Sequence, residues 1–198
     1  IHGSDVTIDG LSFHIPLAGE HQVYNATMVV GACRVLQQTL NISEENICKG
    51  IEHTSFPSRV EVLSEHPLVI LDGAHNLSGA NALANMLDSL GGRTIHAVIG
   101  IMQDKDVDGF IHVIAERCTS IITTSLEDMP RFISPVELAE KARRDCDDVQ
   151  TEPSPRVAYE KALAQCEPED ILLVCGSFYL TSDIRLYVLG EYDETKVG

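Results

Sequence analysis

Leu68-Val69-Ile70-Leu71-Asp72-Gly73-Ala74-His75-Asn76 is the stretch from which the rest of the chain is read. The apolar run at 68–71 is short, partly β-branched and closed by glycine, so it predicts a strand buried on both faces. Beyond it, Ala80, Leu83, Ala84, Leu87 and Leu90 recur at three- and four-residue spacing, which predicts a helix with one apolar face, capped by Ser78. A carboxylate, an imidazole and a carboxamide therefore gather on the loop at the carboxyl end of a core strand, where open α/β sheets place their ligands. As a plain turn, the same Asp and Asn would only satisfy backbone amides.

Downstream, strand and helix patterns alternate. Strands are expected at 60–63, 68–71, 94–99, 120–124 and 171–175. Asp104 is expected to cap a helix whose core face is Val107, Phe110, Ile111, Ile114 and Cys118. Ser134-Pro135-Val136-Glu137 reads as a capping box with proline at the first helical position, opening a helix to about residue 145. Ser154-Pro155 opens another through Ala158, Ala162 and Cys166, and Gly176-Ser177 turns into a last helix through Leu180, Ile184 and Leu189. The alternation implies an α/β fold, a Rossmann-like, mostly parallel sheet flanked by helices. The acidic tail at 191–194 is expected to fray.

Upstream the pattern differs. Asp9-Gly10 between alternating segments is a hairpin signal. Val29, Val30, Cys33, Leu36 and Leu40 describe a helix from Ala26, and Ser43 opens a shorter one through Ile47 and Ile51. A hairpin and two helices are not expected to form a core of their own. Residues 1–56 thus read as the tail of a larger domain and 57–198 as a second domain, with Phe56-Pro57-Ser58 as linker. With Ile1 in place of methionine, a fragment or processed chain is expected.

The net charge of −16 argues against nucleic acid and anionic lipid as partners, and it obliges any phosphate site to carry local arginine, lysine, helix N-termini or Mg²⁺. No apolar run reaches the ~18 to 20 residues of a membrane span, and no signal-peptide pattern opens the chain, so a cytoplasmic location is expected. The six cysteines form no C-x-x-C pair, and the eight histidines no H-E-x-x-H motif, so reduced core thiols and no protein-only metal site are expected. Neither G-x-G-x-x-G after a strand nor G-x-x-x-x-G-K-[ST] occurs, so the chain carries no P-loop with which to hold a triphosphate.

In order, Gly19-x-His21-Gln22-x-x-Asn25-Ala26, Arg59, Asp72-Gly73-Ala74-His75-Asn76, Gly100 with Asp104-Lys105-Asp106, and Gly176-Ser177 resemble the carboxyl half of folylpolyglutamate synthase and the bifunctional dihydrofolate synthase. These are ATP-dependent enzymes of the Mur ligase superfamily. The Asp-Gly-Ala-His-Asn string is the most specific part. Gln22 favours the folate branch, since muramyl-peptide ligases tend to carry Asn there; Leu77 and Ser58 depart from the family's usual proline and glycine. The resemblance implies a Mur ligase carboxyl-terminal domain preceded by the end of a central ATPase domain that carries the P-loop. It implies ATP and Mg²⁺ as cofactors, the Mg²⁺ held mainly by that upstream domain, and ATP, L-glutamate and folate or dihydropteroate as substrates. The carboxylate would be phosphorylated to an acyl phosphate that the amine of glutamate attacks. This chain alone is expected to be inactive. Other readings are another Mur-type amino-acid ligase, or a non-catalytic α/β module binding a small acid or nucleotide.

By position, the resemblance assigns Asn25, Arg59 and Asp72 to ATP and brings His75 near the transfer step. The residue chemistry allows these roles beside plainer ones. Asn25 suits an adenine edge or helix packing equally. Arg59 can fork onto nucleotide oxygens or be an exposed arginine. Asp72, an acceptor only, suits ribose hydroxyls better than phosphates. His75 can donate as a neutral imidazole or act as a cation near developing charge, or be a solvated loop residue. Lys105 can balance phosphate charge or pair within its acidic triplet. Ser177, where a strand meets a helix N-terminus, suits the glutamate carboxylate or a structural turn.

Overall fold

A computed structural model describes residues 3–191, and the chain divides into two compact units between Val60 and Glu61. In the first unit, β1 (Ser4–Ile8) and β2 (Leu11–Ile15) form an antiparallel hairpin. Asp9 (φ 48) and Gly10 (φ 77) both take the positive φ that a two-residue type I′ turn needs. Helices α1 (Glu20–Leu36) and α2 (Glu44–Glu52) follow, the latter capped by Ser43 Oγ, which accepts from the Asn46 N–H.

This unit corrects two expectations. It does gather a small core: Leu11, Phe13 and Ile15 from β2, Ala26 and Val30 from α1, Ile47 and Ile51 from α2. And α1 starts at Glu20 rather than near Ala26, burying Gln22, Ala26 and Val30 at four-residue spacing, while Val29, Leu36 and Leu40 are exposed along with Tyr24, Met28 and Val35.

The second unit holds a six-stranded sheet in the order β3-β4-β8-β5-β6-β7. Its strands are β3 (Glu61–Glu65), β4 (Leu68–Asp72), β5 (Ile95–Ile99), β6 (Ser120–Thr123), β7 (Asp148–Thr151) and β8 (Ile171–Cys175). Only β3 runs antiparallel to its neighbour; every other pairing is parallel. β4, β5 and β8 are buried along their whole length, as apolar runs covered on both faces require. The helices are α3 (Leu77–Asp88), α4 (Val107–Ala115), α5 (Pro135–Ala142), α6 (Pro155–Leu163) and α7 (Phe178–Val188). α3, α4 and α5 pack in succession and α6 packs on α7. Val69, Leu71, Val98, Ile122, Leu172 and Val174 form one core with Ala158, Ala162, Leu180 and Ile184 of α6 and α7. The intervening residues Ile70, Ala97, Ile121 and Leu173, equally buried, point to the other face by the period of two.

Local capping departs from expectation in two places. Asn76, not Ser78, caps α3, because its Oδ1 reaches the Gly79 N–H at 2.8 Å. Asp106, not Asp104, caps α4 through the Gly109 N–H, and Cys118 lies beyond that helix. The expected cap at Ser134 holds, its Oγ accepting from the Glu137 N–H, though α5 ends at Ala142. β7 carries no apolar run and escapes sequence reading, since only Val149 in it is buried. All six cysteines are free thiols, and burial pushes the Cys175 thiol well above its ordinary range. Among the described residues no helix is long and apolar enough to cross a membrane. Of the acidic tail, positions 192–194 lie outside the described residues.

Candidate active site

β4, β8 and β5 are adjacent and parallel, so the loops leaving their carboxyl ends meet. Glycine lets them meet at backbone distance. Gly176 has φ +103, and a Cβ there would stand 2.6 Å from the carbonyl oxygen of Gly100; a Cβ on Gly73 would run into the Phe178 ring. Gly73, Gly100 and Gly176 close the three strands, and close packing leaves no room for side chains at these crossings.

The loop after β4 braces itself. Buried Asp72 accepts from the Ala74 N–H through Oδ1 at 2.7 Å, and Asn76 serves as the α3 cap, so part of the polar content does satisfy backbone amides. His75 is used otherwise. Its Nδ1–H donates to the Gly73 carbonyl at 2.8 Å, which puts a proton on Nδ1, so that in the neutral ring it is Nε2 that accepts. The imidazole lies 5.9 Å from the Phe178 ring, tilted by 60°.

A cavity of about 240 Å³ opens beside this loop, lined by His75, Lys105, Arg131, Ser177, Phe178 and Tyr179 among others. Three sequence candidates, His75, Lys105 and Ser177, thus come together. Ser177, nearly fully buried, caps α7 by accepting from the Tyr179 N–H at 3.1 Å, which leaves its own O–H to donate beside the positive end of the helix. Lys105 Nζ stands 3.8 Å from Asp104 Oδ2, and Arg131 Nη2 donates to that same oxygen at 3.0 Å, holding the Asp104 carboxyl below its ordinary range. Two cations around one carboxylate leave local positive charge in an acidic chain.

Arg131 was not evident from sequence. It lies in a loop without periodicity and is brought to the site by backbone pairing: Gln103 N–H donates to Arg131 O, Ile133 N–H donates to Ile101 O, and Met102 bridges to Phe132. The Arg-Phe-Ile step after Pro130 carries no motif that would have marked it.

Asn25 and Arg59 belong to the first unit. Asn25 is exposed on α1, its Nδ2 donating to Gln22 Oε1 at 3.0 Å, at the rim of a second cavity of about 240 Å³ walled by Ile15, Leu17, Ala26 and Val29. The Arg59 guanidinium lies over the Phe56 ring, 5.6 Å from its centroid.

Magnesium wants oxygen ligands, and the described residues that line the cavity beside His75 include Lys105 and Arg131 but no carboxylate. Its residues do not fit that ion. Among the described residues, one group places three ligand atoms within 4.8 Å of one another: His112, Glu116 and Asp145. There Nδ1 faces Asp145 and Nε2 faces Glu116, so the imidazole bridges two carboxylates rather than converging with them on one point.

The family described as Mur ligase, glutamate ligase domain, matches residues 58–178. A probable bifunctional folylpolyglutamate synthase/dihydropteroate synthase of Haloferax volcanii is 32% identical over 176 residues, which cover 88% of this chain and 20% of that protein. The folylpolyglutamate synthase of Lacticaseibacillus casei is 29% identical over 182 residues, covering 89% of this chain and 40% of that one. Among solved structures, Mycobacterium tuberculosis folylpolyglutamate synthase complexed with ADP and AMPPCP aligns with a TM-score of 0.82 and 25% identity over 95% of this chain and 46% of that one. Escherichia coli FolC in complex with DHPP and ADP aligns with a TM-score of 0.79 and 29% identity over 90% of this chain and 41% of that one. The chain spans less than half the length of each of these relatives.

Proposed function

The chain belongs to the Mur ligase family through its glutamate ligase domain, and from this we propose that it is the carboxyl-terminal part of an ATP-dependent ligase joining L-glutamate to folate or dihydropteroate. The observation that carries the reading is the meeting of His75, Lys105, Arg131 and Ser177 around one cavity at the carboxyl ends of β4, β8 and β5. That environment suits an amino acid with two carboxylates: the Ser177 O–H and the α7 N-terminus one of them, Lys105 and Arg131 the other.

In the proposed reaction the substrate carboxylate attacks the terminal phosphorus of ATP, giving an acyl phosphate and ADP. The amine of glutamate then attacks the acyl carbon; the amide forms, and phosphate and a proton leave. His75, with a proton on Nδ1, presents Nε2 to take a proton from the glutamate ammonium before the attack, freeing the amine; the second proton, lost as the amide forms, leaves with phosphate. Asn25 meets the adenine edge and Arg59 the nucleotide oxygens. Asp72 is the ribose acceptor, with Oδ1 already committed to Ala74.

The P-loop and the bulk of the Mg²⁺ ligands are assigned to an ATPase domain of the same parent chain, whose end residues 1–56 represent, with 57–198 as the ligase domain. Exposed Tyr24, Met28 and Val35 on α1 supply an apolar face for such a domain to cover. The enzyme works in the cytoplasm, with no nucleic-acid or membrane partner.

The test is direct. Full-length protein given ATP, Mg²⁺, L-glutamate and a reduced folate or dihydropteroate should yield ADP, phosphate and glutamylated product in equal amounts. The 198-residue chain should release no more phosphate than a buffer blank. No product from the full-length protein refutes the ligase, and turnover by the short chain refutes the division of labour.

A further inference from the structure

The start of α1 carries a directed chain of side-chain hydrogen bonds. Gly19 precedes the helix with φ +105, and a Cβ there would stand 2.7 Å from the His21 ring, so glycine makes room for the imidazole to fold back. Gln22, 7% exposed, places its Nε2 3.0 Å from His21 Nε2, and its Oε1 accepts from Asn25 Nδ2 at 3.0 Å. An amide nitrogen only donates, so with His21 Nε2 as its acceptor Gln22 turns Oε1 toward Asn25. Asn25 inherits this orientation: Nδ2 must face Gln22, which turns Oδ1 outward on an exposed side chain.

We propose that Gln22 is a positioning residue that fixes the carboxamide of Asn25, so that an acceptor is presented to a base bearing an exocyclic amino group and withheld from one bearing a carbonyl. The proposal rests on the reading that Asn25 meets the base of the nucleotide. Adenine offers an amino N–H beside a ring acceptor, which match Asn25 Oδ1 and the second Nδ2 proton. Hypoxanthine offers a carbonyl beside a ring N–H, and matches only the flipped amide. Flipping would set Asn25 Oδ1 against Gln22 Oε1, acceptor against acceptor, so the wrong base is refused by a residue that never touches it.

The test compares ATP with ITP as phosphoryl donors in the full-length enzyme. Gln22→Met keeps the volume and removes both bonds, and should lower the ATP-over-ITP ratio of kcat/KM by about tenfold. Gln22→Glu keeps an acceptor toward Asn25 and should retain most of the preference, which a role in packing alone would not predict. In a double-mutant cycle, Asn25→Ala should cost less ATP preference in the Gln22→Met background than alone. An unchanged ratio in Gln22→Met, with Asn25→Ala impaired for ATP, overturns the positioning role alone. If Asn25→Ala leaves both ATP use and the ratio unchanged, the base contact itself falls and the proposal with it. Should Gln22→Met not fold, side-chain amide exchange by NMR on the unaltered protein decides. One Asn25 Nδ2 proton should exchange more slowly than the other, and equal fast exchange of both overturns the bond.

Discussion

Phe178 occupies the space into which a side chain on Gly73 would project, and the same ring flanks the imidazole of His75. The glycine of the Asp-Gly-Ala-His-Asn string is therefore demanded by a residue more than a hundred positions away. Gly73→Ala should push the Phe178 ring aside and cost about 1 to 3 kcal/mol, the usual penalty of overpacking. In a Phe178→Ala background the same change should cost less, and urea denaturation of the four proteins measures the coupling.

Asp72→Ala should lower stability by about 1 to 3 kcal/mol, because it leaves the Ala74 N–H without its acceptor in a buried loop. Asp72→Asn retains an oxygen at the same place and should recover most of that loss in thermal unfolding. Equal destabilisation by both would mean that the charge, rather than the hydrogen bond, holds the loop.

His112 should titrate above its ordinary value of 6.5, because Asp145 hydrogen-bonds its ring and Glu116 adds attraction. A raised folded-state pKa means stability that is fully present below 6.5 and is lost as pH rises through the raised value. The exposed side chain makes the effect small. Asp145→Asn should bring the NMR titration midpoint of His112 down, and its stability deficit against the unaltered protein should shrink as pH rises through the raised pKa.

Arg59→Lys in the full-length protein should raise the KM for ATP by about tenfold if the guanidinium forks onto nucleotide oxygens, since lysine keeps the charge and loses the planar pair of donors. The KM for glutamate at saturating ATP should change little. Full activity in Arg59→Lys would sink the fork, and full activity in Arg59→Ala would remove Arg59 from nucleotide binding altogether.

Much of the second unit was legible because its central strands are buried on both faces, so β4, β5 and β8 appear as apolar runs. β7 did not, since an edge strand with one buried residue has no pattern to show. Asn76 and Asp106 were missed as caps because several capping residue types stand within two or three positions of each helix start, and only geometry chooses among them. The site divides likewise. His75, Lys105 and Ser177 follow strand ends and could be found from the strands, whereas Arg131 arrives by backbone pairing between two irregular segments. The orientation of Asn25 depends on a buried glutamine three residues earlier, and spacing alone does not state which way an amide turns.

The sheet order also has a consequence for synthesis. β8, the last of this sheet's six strands in chain order, lies between β4 and β5. Until residues 171–175 emerge, those two strands have no shared neighbour, and each keeps a row of unpaired backbone groups along the edge that β8 will fill. Nascent chains ending before residue 171 should therefore be prone to edge-to-edge association and to chaperone capture, while the hairpin and helices of the first unit, whose contacts are local, can form long before. The loops after β4 and β5 wait on the same event, so the candidate site cannot assemble before β8 has taken its place between them.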